Sequence, residues 1–210
     1  MKKVDDKQSF SDKSEIKKLI LQKEFIGIKI LNVENLEEGD HYIFGKSKLM
    51  EGEFKVNGDE GMLNLCIILA ILANQEDKAK MYFSKLIIRA DKEDQAAVVK
   101  FTSKSAEAFI EAYFAGCFRV LNNLQISQFT FDSKEALKIV SFFKDNPTLE
   151  TLNLANNQLS CKIIKAVIAK IYDNEAIKII NISSNFVYSE DQLEIQGKYN
   201  YHKDKILIFA

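Results

Sequence analysis

Side chains that could carry out a reaction near neutral pH are scarce in this chain. His41 and His202 are its only histidines, and neither stands beside a cysteine or carboxylate at metal-ligand spacing. The patterns CxxC, HExxH, GxSxG and GxGxxG and the phosphate-binding loop are all missing. Cys66, Cys117 and Cys161 are isolated among apolar neighbours, which suits reduced core thiols better than a disulfide framework. Cys66 lies in an apolar helical run, where desolvation raises a thiol pKa and disfavours the nucleophilic thiolate. No catalytic residue, metal ligand or cofactor is expected, and catalysis would need a triad assembled through space.

The chain does offer hydrogen-bonding chemistry at a fixed interval. Asn157 and Asn185 follow LETLNLAN and IKIINISS at equivalent places. A carboxamide both donates and accepts, so at a turn it satisfies the polar backbone that the turn leaves unpaired. The elements that position them repeat every 28 residues: Leu121, Leu124 and Ile126 return as Leu149, Leu152 and Leu154, then as Ile177, Ile180 and Ile182. A period in the twenties signals stacked strand-helix units. Between them, Ala136, Val140 and Phe143 recur as Ile164, Ile168 and Ile171, spaced i, i+4, i+7 on one helical face. One period upstream lie Ala108, Ala112 and Ala115 for a helix, Ala96 and Val98 for a strand, and Phe101 below Phe129. These predict a degenerate unit at about 93–120. One period downstream lie Ile208 and Ala210, so KILIFA is expected to end the sheet as a strand without a following helix.

The segments LETLNLANNQL and IKIINISSNFV match LxxLxLxxNxL, and this resembles the leucine-rich repeat, with a length similar to the ribonuclease-inhibitor-like class. The resemblance covers about residues 93–210. It implies an α/β fold: a short curved strand-helix solenoid whose LxL side chains point inward and whose Asn157 and Asn185 bond the backbone of adjacent turns. Phe129 departs from the asparagine column, and an irregular turn is expected there. The resemblance further implies a concave sheet presenting Asn123, Gln125, Ser127, Gln128, Thr151, Asn153, Ala155, Asn156, Ile179, Asn181, Ser183 and Ser184 to a protein partner. None is charged. Small polar groups suit hydrogen bonding to a protein, although hot spots usually centre on Trp, Tyr or Arg, and a merely solvated face is the alternative. The aromatic residues Phe186, Tyr188, Tyr199 and Tyr201 suit either a partner contact or closure of the core. The CxD motif of bacterial ubiquitin ligases that carry such repeats is absent, as is the LP signature of an F-box.

Residues 1–92 read as a mixed α/β N-terminal cap or as diverged repeats. FIGIKILNV from Phe25 is strand-like, and HYIFGKSKLMEGEFKV from His41 has Gly45 and Gly52 where turns or bulges fit. Asp59 is placed to cap a helix from Met62 to Asn74, and Ala79, Tyr82, Phe83, Leu86 and Ala90 suggest a second helix. Eight acidic residues between Glu34 and Glu60 read as a solvated edge, or as a surface for a basic partner.

A net charge of -1 without a basic run leaves no footprint for phosphate contacts, so nucleic acid is not an expected partner. The longest apolar stretch, Met62 to Ala73, is too short for a membrane span, and MKKVDDKQSFSDK lacks a signal-peptide apolar segment. A soluble, cytoplasmic monomer is expected. The Ile- and Lys-rich, Pro-poor usage in so short an array is similar to effectors of intracellular bacterial pathogens, which implies secretion into a host cell by a non-classical route. The functional expectation is a non-enzymatic protein-binding module. Its rivals are a separate, conceivably catalytic, module in 1–92 that the repeats deliver, and self-association through the KILIFA edge.

Overall fold

The computed structural model describes residues 28–41, 45–74, 80–92, 97–131, 133–199 and 205–209. The chain is mixed α/β. Its main sheet has seven strands in the order β1 (Ile28–His41), β2 (Gly45–Val56), β3 (Lys80–Ala90), β5 (Asn123–Ser127), β7 (Thr151–Asn153), β8 (Ile179–Asn181) and β9 (Ile206–Ile208). Only β1 runs antiparallel to its neighbour; every pairing from β2 to β9 is parallel. A parallel pair needs a crossover, and five helices are described: α1 (Gly58–Ala73), α2 (Ser103–Phe114), α3 (Ser133–Phe143), α4 (Cys161–Ile171) and α5 (Ser189–Tyr199). The first four pack in chain order, each against the next. A second sheet of two short strands, β4 (Lys100–Phe101) and β6 (Thr130–Phe131), lies beside the main one.

Period-two burial explains the layering. Leu86, Leu124, Leu152 and Ile180 occupy one register row and are all fully buried, continued by Leu207 on β9. Against that row pack the inner helical columns, Val140 and Phe143 on α3 and Ile164, Ile168 and Ile171 on α4. The pairing of Leu124 with Leu152 and of Leu152 with Ile180 keeps the 28-residue interval. Among the described residues no helix is long and apolar enough to cross a membrane.

Upstream the alternation continues at a changed interval. Leu86 pairs with Leu124, 38 residues on, and Phe54 with Ile88, 34 residues on. The strand beside β5 is thus β3 rather than a strand at Ala96 and Val98: Ala96 lies outside the described residues, and Val98 is 61% exposed in an irregular segment. The helix expected over Ala108 and Ala112 is present and buries both, whereas Ala115 is exposed at its end.

Tyr82, Phe83, Leu86 and Ala90 belong to β3, not to a second helix. Ser84, Leu86, Ile88 and Ala90 alternate with half-buried Lys85, Ile87 and Arg89, which is strand periodicity. Asp59 does not cap its own helix, whose N-cap is Asn57 without a side-chain bond. Its carboxylate instead accepts from Thr102 Oγ1 at 2.8 Å and Ser105 Oγ at 2.6 Å, tying the start of α1 to the start of α2.

Gly52 sits inside β2 rather than at a turn, opposite Val33 and Leu86. A Cβ there would lie 2.5 Å from Phe83 Cε1 and 2.6 Å from Phe54 Cε2, so the missing side chain is what admits two aromatic rings. The strand expected in Phe25–Val33 is found from Ile28 on; Phe25 to Gly27 lie outside the described residues, as do Tyr42 to Phe44, Ala79, Tyr201, His202 and Ala210.

Candidate interaction site

The strand side chains that point away from the helices form two continuous rows. One runs Glu53, Ile87, Gln125, Asn153, Asn181 and Ile208; the other runs Glu51, Lys85, Asn123, Thr151, Ile179 and Ile206. All are at least partly accessible. Their chemistry is graded: ion pairs beside aliphatic Ile87 at β2 and β3, amide and hydroxyl at β5 and β7, Asn181 with Ile179 at β8, and isoleucine alone at β9. Lys85 Nζ donates to Glu51 Oε2 at 2.9 Å, and Arg89 Nε lies 2.7 Å from Glu53 Oε1.

Of the residues expected on this face, Asn123, Gln125, Thr151, Asn153, Ile179 and Asn181 lie in those rows, whereas Ser127, Gln128, Ala155, Asn156, Ser183 and Ser184 lie outside them. Ser127 is only 4% exposed and accepts from Gln125 Nε2 at 3.1 Å, so it does not present its hydroxyl to a partner. Its neighbour Arg89 takes the accessible place in that register. Asn153 Oδ1 accepts from Ala155 N at 2.9 Å and Asn181 Oδ1 from Ser183 N at 3.0 Å, an Asx turn repeated one unit on. These carboxamides shape the strand ends. Gln128, Asn156 and Ser184 share positive φ values of 70°, 59° and 54°, so all three units turn through the same left-handed backbone. The turn at Phe129 therefore keeps this left-handed step, contrary to the irregularity expected of it.

Two asparagine columns run along the stack, the first of them behind these turns. Asn157 Nδ2 donates to Ile126 O at 2.6 Å and Leu154 O at 3.0 Å, while its Oδ1 accepts from Phe129 N at 3.1 Å. Asn185 repeats the arrangement, donating to Leu154 O and Ile182 O and accepting from Asn157 N and Leu159 N. The second column, at the other end of the strands, is Asn146 and Asn174. Asn174 Nδ2 donates to Phe143 O at 2.8 Å and Asn146 O at 2.9 Å, and its Oδ1 accepts from Ala176 N. Lys205 reaches the same place from β9, its ammonium donating to Ile177 O at 2.8 Å and to Asn174 O. Burial and the nearby Lys178 lower the Lys205 pKa. The first unit carries Phe118 and Phe129 where both asparagines would stand, and both rings are buried.

The constant interval does not reach Lys85 and Arg89, and it leaves Glu51 and Glu53 as part of an acidic segment rather than as the continuation of these rows. Sequence reasoning also missed the second column, whose signal was present: DNPTL at Asp145 and DNEAI at Asp173 lie 28 residues apart. For the terminal strand, Ile180 pairs with Leu207 rather than Ile208, so Leu207 turns inward and Ile208 outward. Phe186 and Tyr188 are exposed and do not close the core; half-buried Tyr199 packs on Tyr172 instead, ring centroids 4.7 Å apart.

The thiols are separate from this face. Burial pushes Cys66 well above the ordinary thiol range and Cys117 up to about 11. Cys161 is raised by burial and by Asp191, against the effect of Lys165. Among the described residues no three His, Cys, Asp or Glu side chains gather closely enough to hold a metal ion. No protein-family model matches the chain, and no curated protein matches it either.

Proposed function

We propose that this chain is a short strand-helix solenoid of leucine-rich repeat type, that it is not an enzyme, and that the open face of its sheet binds a protein partner. The observation that carries this reading is the pair of cross-strand rows, which set an uncovered surface of charged, amide and aliphatic groups in register over six strands. An open surface of this mixed chemistry suits a protein partner better than a substrate, which is usually held in a concave, mostly apolar cleft. The aliphatic end at Ile179, Ile206 and Ile208 supplies the apolar anchor, and Arg89 supplies a residue type common in hot spots. Action within a host cell, as for bacterial effectors with similar repeats, belongs to the same reading.

The parallel ladder between β2 and β3 and the shared core favour the N-terminal hairpin as a cap on the stack over a detachable module. A photo-crosslinking amino acid at Thr151 or Ile179, compared with one at exposed Lys162 or Lys170 on α4, tests the assignment. Partner adducts are expected from the sheet positions; adducts from the helical positions alone would place the interface elsewhere.

A further inference from the structure

Helix α1 is apolar on almost every side. Met62, Leu65, Leu69 and Leu72 face the core, yet Leu63 and Ile67 lie outside it, 46% and 38% exposed. Half-buried Ala70 continues the same line at i, i+4, i+7. A helix that is hydrophobic all round is normally covered on all sides. Beside it, α2 carries Ala108 and Ala112 in the columns where α3 has Ala136 and Val140 and α4 has Ile164 and Ile168.

Small side chains on one helix and exposed aliphatic ones on the other leave a trough between them. It opens to about 420 Å³ beside Asp59 and Glu60 and continues as about 150 Å³ along Ile67 and Ala115, the two parts sharing Leu63, Ala108 and Glu111. The floor is apolar. The rim carries exposed Glu60, Glu107 and Glu111 against Lys104, so the charge on the trough is negative.

We propose that the α1–α2 trough docks an amphipathic helix of a partner protein, one with an aliphatic stripe flanked by Lys or Arg. An alanine floor lets a third helix approach at the 8–10 Å or so typical of helix packing. Aliphatic side chains at i, i+3 or i+4, and i+7 would cover Leu63 and Ile67, which is the helix-in-groove mode of recognition. The acidic rim selects the flanking charge. It also disfavours two other occupants: an anionic membrane would be repelled, and a second copy would set Glu107 and Glu111 against their own counterparts. This surface lies on the helical side of the molecule and does not depend on the open-face reading.

The test is a display selection of helical peptides of about five turns, randomised at every position, against the full chain. Enrichment of peptides with an aliphatic stripe and basic flanks is expected. Their affinity should fall at least about tenfold with Leu63→Lys and with Glu107→Lys/Glu111→Lys, a loss equivalent to about 1.4 kcal/mol. Both sites are exposed, and unchanged thermal unfolding of the two variants confirms that they fold. The proposal is overturned if enriched peptides lack the pattern or bind the variants equally. Two further results would also overturn it: binding to phosphatidylcholine–phosphatidylserine vesicles that Leu63→Lys removes, and a concentration-dependent dimer in sedimentation that the same variant abolishes.

Discussion

Asn185 Oδ1 accepts the backbone N–H of Asn157 at 3.0 Å, and Asn157 Oδ1 in turn accepts that of Phe129 at 3.1 Å. Each carboxamide thus satisfies the turn of the preceding unit while its Nδ2 group donates to carbonyls of both units. Stacking is coupled to hydrogen bonding as well as to apolar contact, and the two asparagines differ in burial: Asn157 is enclosed and Asn185 half-exposed.

That difference sets the first expectation. Asn157→Leu strands the buried Ile126 carbonyl and the Phe129 N–H, while the Leu154 carbonyl keeps its bond from Asn185, so a loss of about 3 kcal/mol is expected in urea unfolding. Asn185 is itself half-exposed, so water can enter where its carboxamide is removed, and Asn185→Leu should cost about half as much. Equal losses would mean that the ladder contributes by shape alone.

Phe118 and Phe129 stand where the later units have asparagine, and the first unit is held by rings instead. Phe129 packs edge-on against Phe101 and Phe131, with centroids 5.5 and 6.3 Å apart. Phe129→Asn therefore installs the residue of the later units and still removes the packing, with an expected cost of about 3–5 kcal/mol. Phe129→Leu should cost less. A neutral Phe129→Asn in calorimetry would show that the asparagine bonds can be rebuilt there.

The fold was legible where inward positions are aliphatic at a constant interval. The strands at Leu124, Leu152 and Ile180 follow directly from it, as do the α3 and α4 columns. Upstream the intervals lengthen to 34 and 38 residues, so a fixed step from Ile126 lands on exposed Val98 instead of Ile88. KMYFSKLIIRA fits both periods, since Leu86 and Ala90 belong to the helical and the strand set alike, and pairing with β2 and β5 decides for the strand. The open face was legible only at β5, β7 and β8. Its charged end depends on β2 and β3, and its aliphatic end on a one-residue change of register at Leu207.

Asp59 links α1 to α2, and its titration gives a pH signature. Burial raises its pKa, but the hydrogen bonds from Ser105 and Thr102 outweigh burial and hold it below the ordinary 3.8. A carboxyl lowered on folding contributes stability above its unfolded pKa and loses it as pH falls through the folded value. Asp59→Asn should therefore lower the melting temperature at pH 7, and the gap to the unsubstituted chain should narrow below about pH 4. A gap independent of pH would assign the link to shape rather than charge.

Thiol reactivity separates the three cysteines. Cys66 and Cys117 are buried with raised pKa values, whereas Cys161 is partly accessible at the start of α4. A maleimide at pH 7.5 should label Cys161 in the folded protein and reach the other two only in denaturant, as read by peptide mass spectrometry. Labelling of Cys66 before Cys161 would mean that α1 opens locally.

Gly52 provides a last expectation, because from β3 to β9 its row is filled by leucine and isoleucine. In β2 it stands beside Leu86, while the Phe54 and Phe83 rings, edge-to-face at 5.9 Å, converge over its Cα. Gly52→Ala places a methyl group inside both rings and should cost about 1–3 kcal/mol as overpacking, although alanine is the better residue for an ordered backbone. Phe83→Leu opens space on the side of the closest contact at a cost of its own. In the double variant the two losses should add to less than their sum by about 1 kcal/mol or more, measured as a double-mutant cycle in urea. Strict additivity would show that the rings do not converge on Gly52 and that its place in the strand has another cause.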